Sequence, residues 1–193
     1  MGIISNTTTP NCTIAIWEIK ESLEELLQLG HTISVPDFNT EKRNKEWLAS
    51  RLLLKKINPN TTISYNEFGA PEIDNGQFIS ISHSKGLVAI IISQQQVGID
   101  IEEISEKALR VSSKFISKNN LKDLTAEKAS LIWSCKETIY KWYQKGNIDF
   151  IKDLIIQPFL IAEKGEIKAQ FKNEPLTLFY TKINSHFLVY VCN

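Results

Sequence analysis

The sequence predicts an α+β protein made of two similar sub-lobes, each with helices packed on antiparallel strands. Three observations lead there. Helical and β-rich stretches occur in the same order twice, helices then strands up to Ser93 and helices then strands again after Gln96. The β-rich runs are joined by short turns that read as hairpins. A length of 193 residues suits one sizeable domain or two small lobes sharing a core, and excludes a large multidomain protein. The lobe boundary falls near Ser93 to Val97, which gives an N-terminal lobe over 13–96 and a C-terminal lobe over 97–193.

The elements follow in chain order. Residues 1–12 form a polar Thr/Asn run and are expected to be a flexible tail. TIAIWEI (Thr13 to Ile19) alternates as a strand does, and ESLEELLQLG then has the apolar spacing of a short helix stopped by Gly30. Thr40 is a plausible N-cap for a longer helix over EKRNKEWLASRLLLKKI, ended by Pro59. Ser64 to Ile73 reads as a loop. FISISHSKGLVAIIIS reads as a hairpin turning at Ser84-Lys85-Gly86, and VGIDIE as the next strand. Two helical stretches follow, near Ser105 to Ser117 and from Thr125 to about Gln144. FLIAEKGEIKAQF and LTLFYTKINSHFLVYV close the chain as two more hairpins.

Composition narrows the function classes. Hydrophobic residues are 42% and charged residues 23%, the balance of a soluble globular chain. Lys plus Arg and Asp plus Glu number 22 each, so nothing marks a bulk nucleic-acid binder. Three widely spaced cysteines, Cys12, Cys135 and Cys192, with no CxxC pair, fit a reducing compartment, with the cytoplasm as the default. The N-terminus lacks the pattern of a signal peptide, no stretch has the length of a membrane span, and Asn6 stands where myristoylation wants Ser or Thr.

The chemistry is concentrated in a few side chains. In VGIDIE, Val97, Ile99 and Ile101 point one way and Gly98, Asp100 and Glu102 the other, so two carboxylates lie side by side and call for a positive partner. In LIWSCKETIYKWYQK, Trp133, Glu137 and Lys141 fall at i, i+4 and i+8 on one helix side. The bland readings are an exposed strand end and a surface Glu-Lys pair; the surrounding Trp133, Ile139, Tyr140 and Trp142 weaken the second. If Glu137 meets Asp100 and Glu102, oxygen-only ligation favours a hard cation such as magnesium, and the implied ligand is a phosphate ester. His83 alone is more often a solvated turn residue, although a protonated ring suits a phosphate oxygen. Arg43, Trp47 and Arg51 share a helix face that is a solvated basic face by default and a phosphate contact otherwise.

Taken together, Gly98-Ile99-Asp100-Ile101-Glu102, then Trp133-Ser134-Cys135-Lys136-Glu137-Thr138-Ile139-Tyr140-Lys141, with SISHS upstream, resemble the 4'-phosphopantetheinyl transferase superfamily. The likeness spans roughly Arg43 to Lys141, and EWLASRLLLKKI looks like the early coenzyme-A-facing helix of its single-chain, two-lobed members. It implies a pseudo-dimeric monomer with coenzyme A between the lobes. The implied activity is of the holo-[acyl-carrier-protein] synthase type, transferring phosphopantetheine to a serine of an acyl or peptidyl carrier protein and releasing adenosine 3',5'-bisphosphate.

By that resemblance Asp100, Glu102 and Glu137 would hold Mg2+, and Glu137 would also be the candidate base for the serine. Lys136 and Lys141 would offset charge near the diphosphate, Ser82 and His83 would contact phosphate, and Arg43 and Arg51 would face the adenosine phosphates. One departure is Gly69-Ala70-Pro71, where many members have Gly-Lys-Pro; Lys85 is a possible substitute cation. Two competing readings stand beside this one. A magnesium nuclease or phosphatase is disfavoured for polynucleotides by the zero net charge, and a non-catalytic coenzyme A or carrier-protein binding module is kept open by Ala70. No membrane or nucleic-acid partner is expected.

Overall fold

The structure, a computed structural model, describes residues 2–36, 38–117 and 121–192. The first half supplies β1 (Ile3–Thr8), β2 (Thr13–Glu18), α1 (Leu23–Leu29), α2 (Glu41–Ile57), β3 (Ile63–Tyr65), β4 (Pro71–Ile73), β5 (Phe78–Ser84) and β6 (Leu87–Ser93). The second supplies β7 (Val97–Glu103), α3 (Glu106–Arg110), a 3-10 turn (Ser112–Lys114), α4 (Ala126–Tyr143), β8 (Leu154–Ile156), β9 (Lys164–Phe171), β10 (Glu174–Ile183) and β11 (His186–Cys192). The strands form an antiparallel sheet in the order β1-β2-β6-β5, a second in the order β7-β11-β10-β9-β8, and the small pair β3-β4. The α+β architecture read from the sequence is the one observed.

Local chemistry explains the long helices. Thr40 caps α2 by accepting from the Arg43 amide, and Thr125 caps α4 by accepting from the Lys128 amide. Gln144, in the left-handed conformation at φ 62°, ends α4. The β5-β6 hairpin turns on Lys85 (φ 38°) and Gly86 (φ 84°), a pair of positive angles that matches the twist of the flanking strands.

β6 shows no alternation because both of its faces are buried. Val88, Ile90 and Ile92 pack toward Trp17, Leu48, Leu53 and Ile79 under α2, whereas Leu87, Ala89 and Ile91 pack with Ile14, Ile16, Val97, Ile99, Ile101 and Leu188 between the two sheets. A third apolar cluster lies where α4 covers the second sheet, through Leu131, Cys135, Ile139, Leu178, Phe187 and Val189.

The edges of the two sheets are joined by side chains instead of a ladder. Along β5, Ile79 and Ile81 face α2, while Ser80, Ser82 and Ser84 face β7. Their hydroxyls accept from the amides of Ile99, Ile101 and Glu103 at 3.1, 3.1 and 3.2 Å. These are the β7 amides that β11, on the other edge, does not reach, so the alternating serines satisfy donors that would otherwise be buried unpaired.

Four local expectations are corrected. Residues 3–8 are a strand, paired with β2 from Ile3↔Trp17 to Thr8↔Thr13; an exposed edge strand needs no apolar alternation, so its polar sequence reads as a tail. Ser64 to Ile73 is mostly the β3-β4 pair, with Asn66 Oδ1 accepting from the Phe68 and Ala70 amides to shape the connecting turn. Its strands are too short to show a period. The stretch from Ser105 to Ser117 is helical only over α3 and the 3-10 turn. The last two hairpins are one meander, β9-β10-β11, in which β10 pairs on both sides. Among the described residues no helix is long and apolar enough to cross a membrane.

Candidate functional site

The site begins with Gly98. An added Cβ there would lie 2.2 Å from the Thr138 carbonyl oxygen and 2.9 Å from Trp142, so α4 lies directly on β7. Asp100 and Glu102, on the same face of β7 as Gly98, therefore meet Glu137 and Lys141 on α4. Asp100 is 3% exposed and fully engaged. Its Oδ1 accepts from Ser82 Oγ at 2.8 Å and Lys141 Nζ at 2.6 Å, and its Oδ2 accepts from Ser134 Oγ at 2.8 Å. Lys141 Nζ also donates to Ser82 Oγ at 2.8 Å.

The neighbouring carboxyls sense one another. Burial first, then the Asp100 charge and more weakly that of Glu137, pushes the Glu102 carboxyl up to about 7, against the pull of Lys141. Burial also raises Glu137, with Lys141 opposing and Asp100 adding to the rise. Among the described residues no group of three or more His, Cys, Asp or Glu is drawn around a common centre as a metal cage. The donor chemistry nevertheless fits a hard divalent cation: it is all oxygen, buried at Asp100 and half-buried at Glu102 and Glu137, and carries mutual repulsion that Lys141 only partly relieves.

Beside this cluster lies a cavity of about 290 Å³. It is walled by Arg43, Glu46, Trp47 and Arg51 of α2, by Tyr65 and Phe68 to Pro71, by Ser80, Ile81 and His83 of β5, and by Tyr140, Lys141 and Gln144 from the end of α4. Lys141 thus belongs both to the cavity and to the carboxylate cluster. Arg51 lies over the Trp47 ring at 4.0 Å and donates to Tyr65 Oη at 2.6 Å and Ser50 Oγ at 2.9 Å. Arg43 Nη1 is 2.6 Å from His83 Nε2; a guanidinium only donates, so this ring nitrogen accepts. The other ring nitrogen, Nδ1, is 3.3 Å from Glu46 Oε2.

Of the residues singled out in the sequence, Arg43, Arg51, His83 and Lys141 share the cavity, and Asp100, Glu102 and Glu137 are electrostatically linked next to it. Two placements differ from expectation. Ser82 does not line the cavity: it is 4% exposed and its hydroxyl is committed to Asp100, Lys141 and the Ile101 amide. Lys136, 4% exposed, points toward the 150–154 segment and donates to the carbonyls of Phe150 and Leu154, since it sits about a quarter turn around the helix from Glu137. Burial pushes its ammonium down to about 8. Ala70 lines the cavity, while Lys85 pairs with Glu103 at 2.8 Å and does not replace the missing lysine.

The sequence reading missed Glu46, Tyr65, Tyr140 and the Asp100 contact of Ser134. Ser134 and Tyr140 lie inside the Trp133–Lys141 motif, whereas Glu46 and Tyr65 have their partners on other elements.

Comparisons with known proteins identify a family. The family model described as the 4'-phosphopantetheinyl transferase superfamily matches residues 96–190. The chain is 32% identical over 147 residues to the 4'-phosphopantetheinyl transferase gsp of Aneurinibacillus migulanus, covering 69% of this chain and 60% of that protein. It is 31% identical over 93 residues to the 4'-phosphopantetheinyl transferase Sfp of Bacillus subtilis (strain 168), covering 45% of this chain and 41% of the relative. It is likewise 31% identical over 93 residues to ffp of Bacillus subtilis, covering 43% and 41%. The matches therefore span between 41% and 60% of the length of these relatives. On these matches and on the motif that they enclose, the chain belongs to the 4'-phosphopantetheinyl transferase superfamily.

Proposed function

We propose that this protein transfers the 4'-phosphopantetheine group of coenzyme A to a serine hydroxyl of an acyl or peptidyl carrier protein. The observation that carries the reading is the junction at Lys141, where a carboxylate cluster of metal-binding chemistry adjoins a cavity lined by Arg43, Arg51 and His83. A ligand with a diphosphate and a flat base asks for those two neighbourhoods side by side.

The serine oxygen attacks the phosphorus that carries the pantetheine arm. The phosphoanhydride bond breaks, adenosine 3',5'-bisphosphate leaves, and the serine proton passes to a base. Glu137, its carboxyl raised by burial, serves as that base. Asp100, Glu102 and Glu137 would hold magnesium, which supplies charge neutralisation at the diphosphate when bound. Lys141 neutralises the leaving phosphate, and Arg43 with His83 holds phosphate oxygens from the α2 side. Arg51, stacked on Trp47 and tied to Tyr65, fixes the outer end of the nucleotide. Ser82 acts behind this surface by holding the α4-β7 junction, and Lys136 by tying α4 to the 150–154 segment. The reading places a monomer in the cytoplasm, in keeping with the free thiols of Cys12, Cys135 and Cys192.

The test is to incubate the protein with coenzyme A and an apo carrier protein, with magnesium or with EDTA, and weigh the carrier by intact mass spectrometry. A gain of one phosphopantetheine unit only with free magnesium is expected. No gain across several carriers while coenzyme A still binds would overturn the reading in favour of a binding module.

A further inference from the structure

Glu46 has no part in the mechanism above, yet it is the carboxylate that lies against the cavity-lining histidine. It is 5% exposed on α2, a burial that an acidic side chain rarely accepts without a role for its charge. Its Oε2 is 3.3 Å from His83 Nδ1, and its Oε1 is 3.7 Å from the exposed Lys42 ammonium. His83 in turn presents Nε2 to Arg43 at 2.6 Å. The chain of contacts runs carboxylate, imidazole, guanidinium, and all three side chains line the cavity.

We propose that Glu46 is a positioning residue for His83: its buried carboxylate fixes Nδ1 as the protonated ring nitrogen, keeps Nε2 turned to the cavity, and stabilises the imidazolium formed when a phosphate oxygen is bound there. The inference rests on the reading of the cavity as a diphosphate site. Without a bound anion, neutral His83 accepts from Arg43 through Nε2. A phosphate oxygen is itself an acceptor, so it cannot bond to a bare Nε2. When the anion enters, Nε2 takes up a proton and donates to it, and Arg43 turns its donors to the same anion.

Proton uptake by His83 is opposed by several neighbours. Burial lowers the affinity of the ring for a proton, and the charges of Arg43 and Lys42 on α2 and Lys141 on α4 act in the same direction. Among the described residues, Glu46 is the facing group that opposes them. An arriving diphosphate adds negative charge near the ring beside that of Glu46, which itself lines the cavity, so both favour the imidazolium. Anion binding is therefore coupled to proton uptake, and Glu46 sets the pH range in which it operates.

The test uses the full chain, in which only His31, His83 and His186 contribute imidazole signals. Nitrogen-15 NMR of His83 is followed against pH in the parent, Glu46→Gln and Glu46→Ala, and inorganic pyrophosphate binding is measured calorimetrically over the same range. The parent is expected to show the Nδ1–H tautomer. Glu46→Gln should keep it, since the amide oxygen still accepts, but should protonate at lower pH. At pH 7 it should bind pyrophosphate about tenfold more weakly, the cost of a charge-assisted bond made neutral. That deficit should shrink as the pH is lowered. Glu46→Ala should lose the tautomer preference as well. An Nε2–H tautomer in the parent, or a Glu46→Gln protein with the parental pH profile and affinity, would overturn the proposal. Failure of the parent to bind pyrophosphate would instead overturn the diphosphate reading of the cavity, while the NMR arm still decides whether Glu46 governs His83.

Discussion

Gly98→Ala is the sharpest test of how the site is assembled. The alanine Cβ would stand 2.2 Å from Thr138 O and 2.9 Å from the Trp142 backbone nitrogen, separations that real Cβ atoms do not tolerate. Both of these obstacles belong to the α4 main chain, so no rotamer change relieves them, and the helix has to lift off the strand. Overpacking of this kind costs about 1–3 kcal/mol, and a backbone obstacle puts the expectation at the upper end. Against it stands a gain of only about 0.4–1 kcal/mol from the stiffer unfolded chain. A net loss of about 2 kcal/mol lowers the melting temperature of a chain of this size by roughly 4–8 °C. The functional loss should be larger than the stability loss suggests, because lifting α4 carries Glu137 and Lys141 away from Asp100, and a misplacement of about 1 Å can cost on the order of a hundredfold in rate. Thermal melting and carrier loading by mass spectrometry read the two effects. Shortening Trp142 in the same chain should recover little, since Thr138 O remains. A Gly98→Ala protein that melts with the parent and loads carrier at the parental rate would refute the close-packing argument.

Other outcomes follow from the same contacts. Glu137→Gln should fold and melt like the parent but lose roughly a hundredfold or more in carrier loading, as expected for a removed general base; a near-normal rate would remove Glu137 from the mechanism. Lys136→Met should strand the Phe150 and Leu154 carbonyls and lower stability by about 2–4 kcal/mol in urea unfolding. An unchanged urea midpoint with impaired turnover would mean that Lys136 reaches the ligand after all. Tyr65→Phe, which removes the hydroxyl that receives Arg51, should raise the KM for coenzyme A by up to about tenfold with kcat retained; a fall in kcat at constant KM would contradict a purely binding role. His186 is buried, with Nε2 unpartnered, and burial holds its pKa below the usual histidine value. Its folded-state pKa is therefore the lower one, so its contribution to stability is complete above the unfolded pKa and is lost as pH falls through the folded value. Unfolding at stepped pH should show a shallower acid-side loss for His186→Phe than for the parent, and an identical slope would refute this.

Much of the secondary structure was legible because it is written in short-range chemistry. The Thr40 and Thr125 caps, the Lys85-Gly86 turn and the alternation of VGIDIE each depend on residues a few positions apart. The elements that escaped lacked such a signature. β1 is an exposed edge strand whose pairing is made by backbone to β2, and β3 and β4 are three residues each. Within the site, Arg43, Arg51, His83 and Lys141 were found as candidates because each carries charge or a titratable ring in a motif. Glu46 and Tyr65 became visible only once α2 lay beside β5 and the β3-β4 turn.

The sequence by itself determined which residues share a face of their own element: Gly98, Asp100 and Glu102 on one strand face, and Glu137 with Lys141 on one helix side. Periods of two and 3.6 residues are properties of the isolated backbone, so they need no knowledge of the fold. Tertiary structure alone decided what covers each face. It turned Lys136 into a buried strut for the 150–154 segment, gave Ser82 to Asp100 and the Ile101 amide, and placed Glu46 against His83. These partners come together because the serine ladder of β5 satisfies the free edge of β7 and because Gly98 lets α4 approach closely, two contacts between elements that no window along the chain contains.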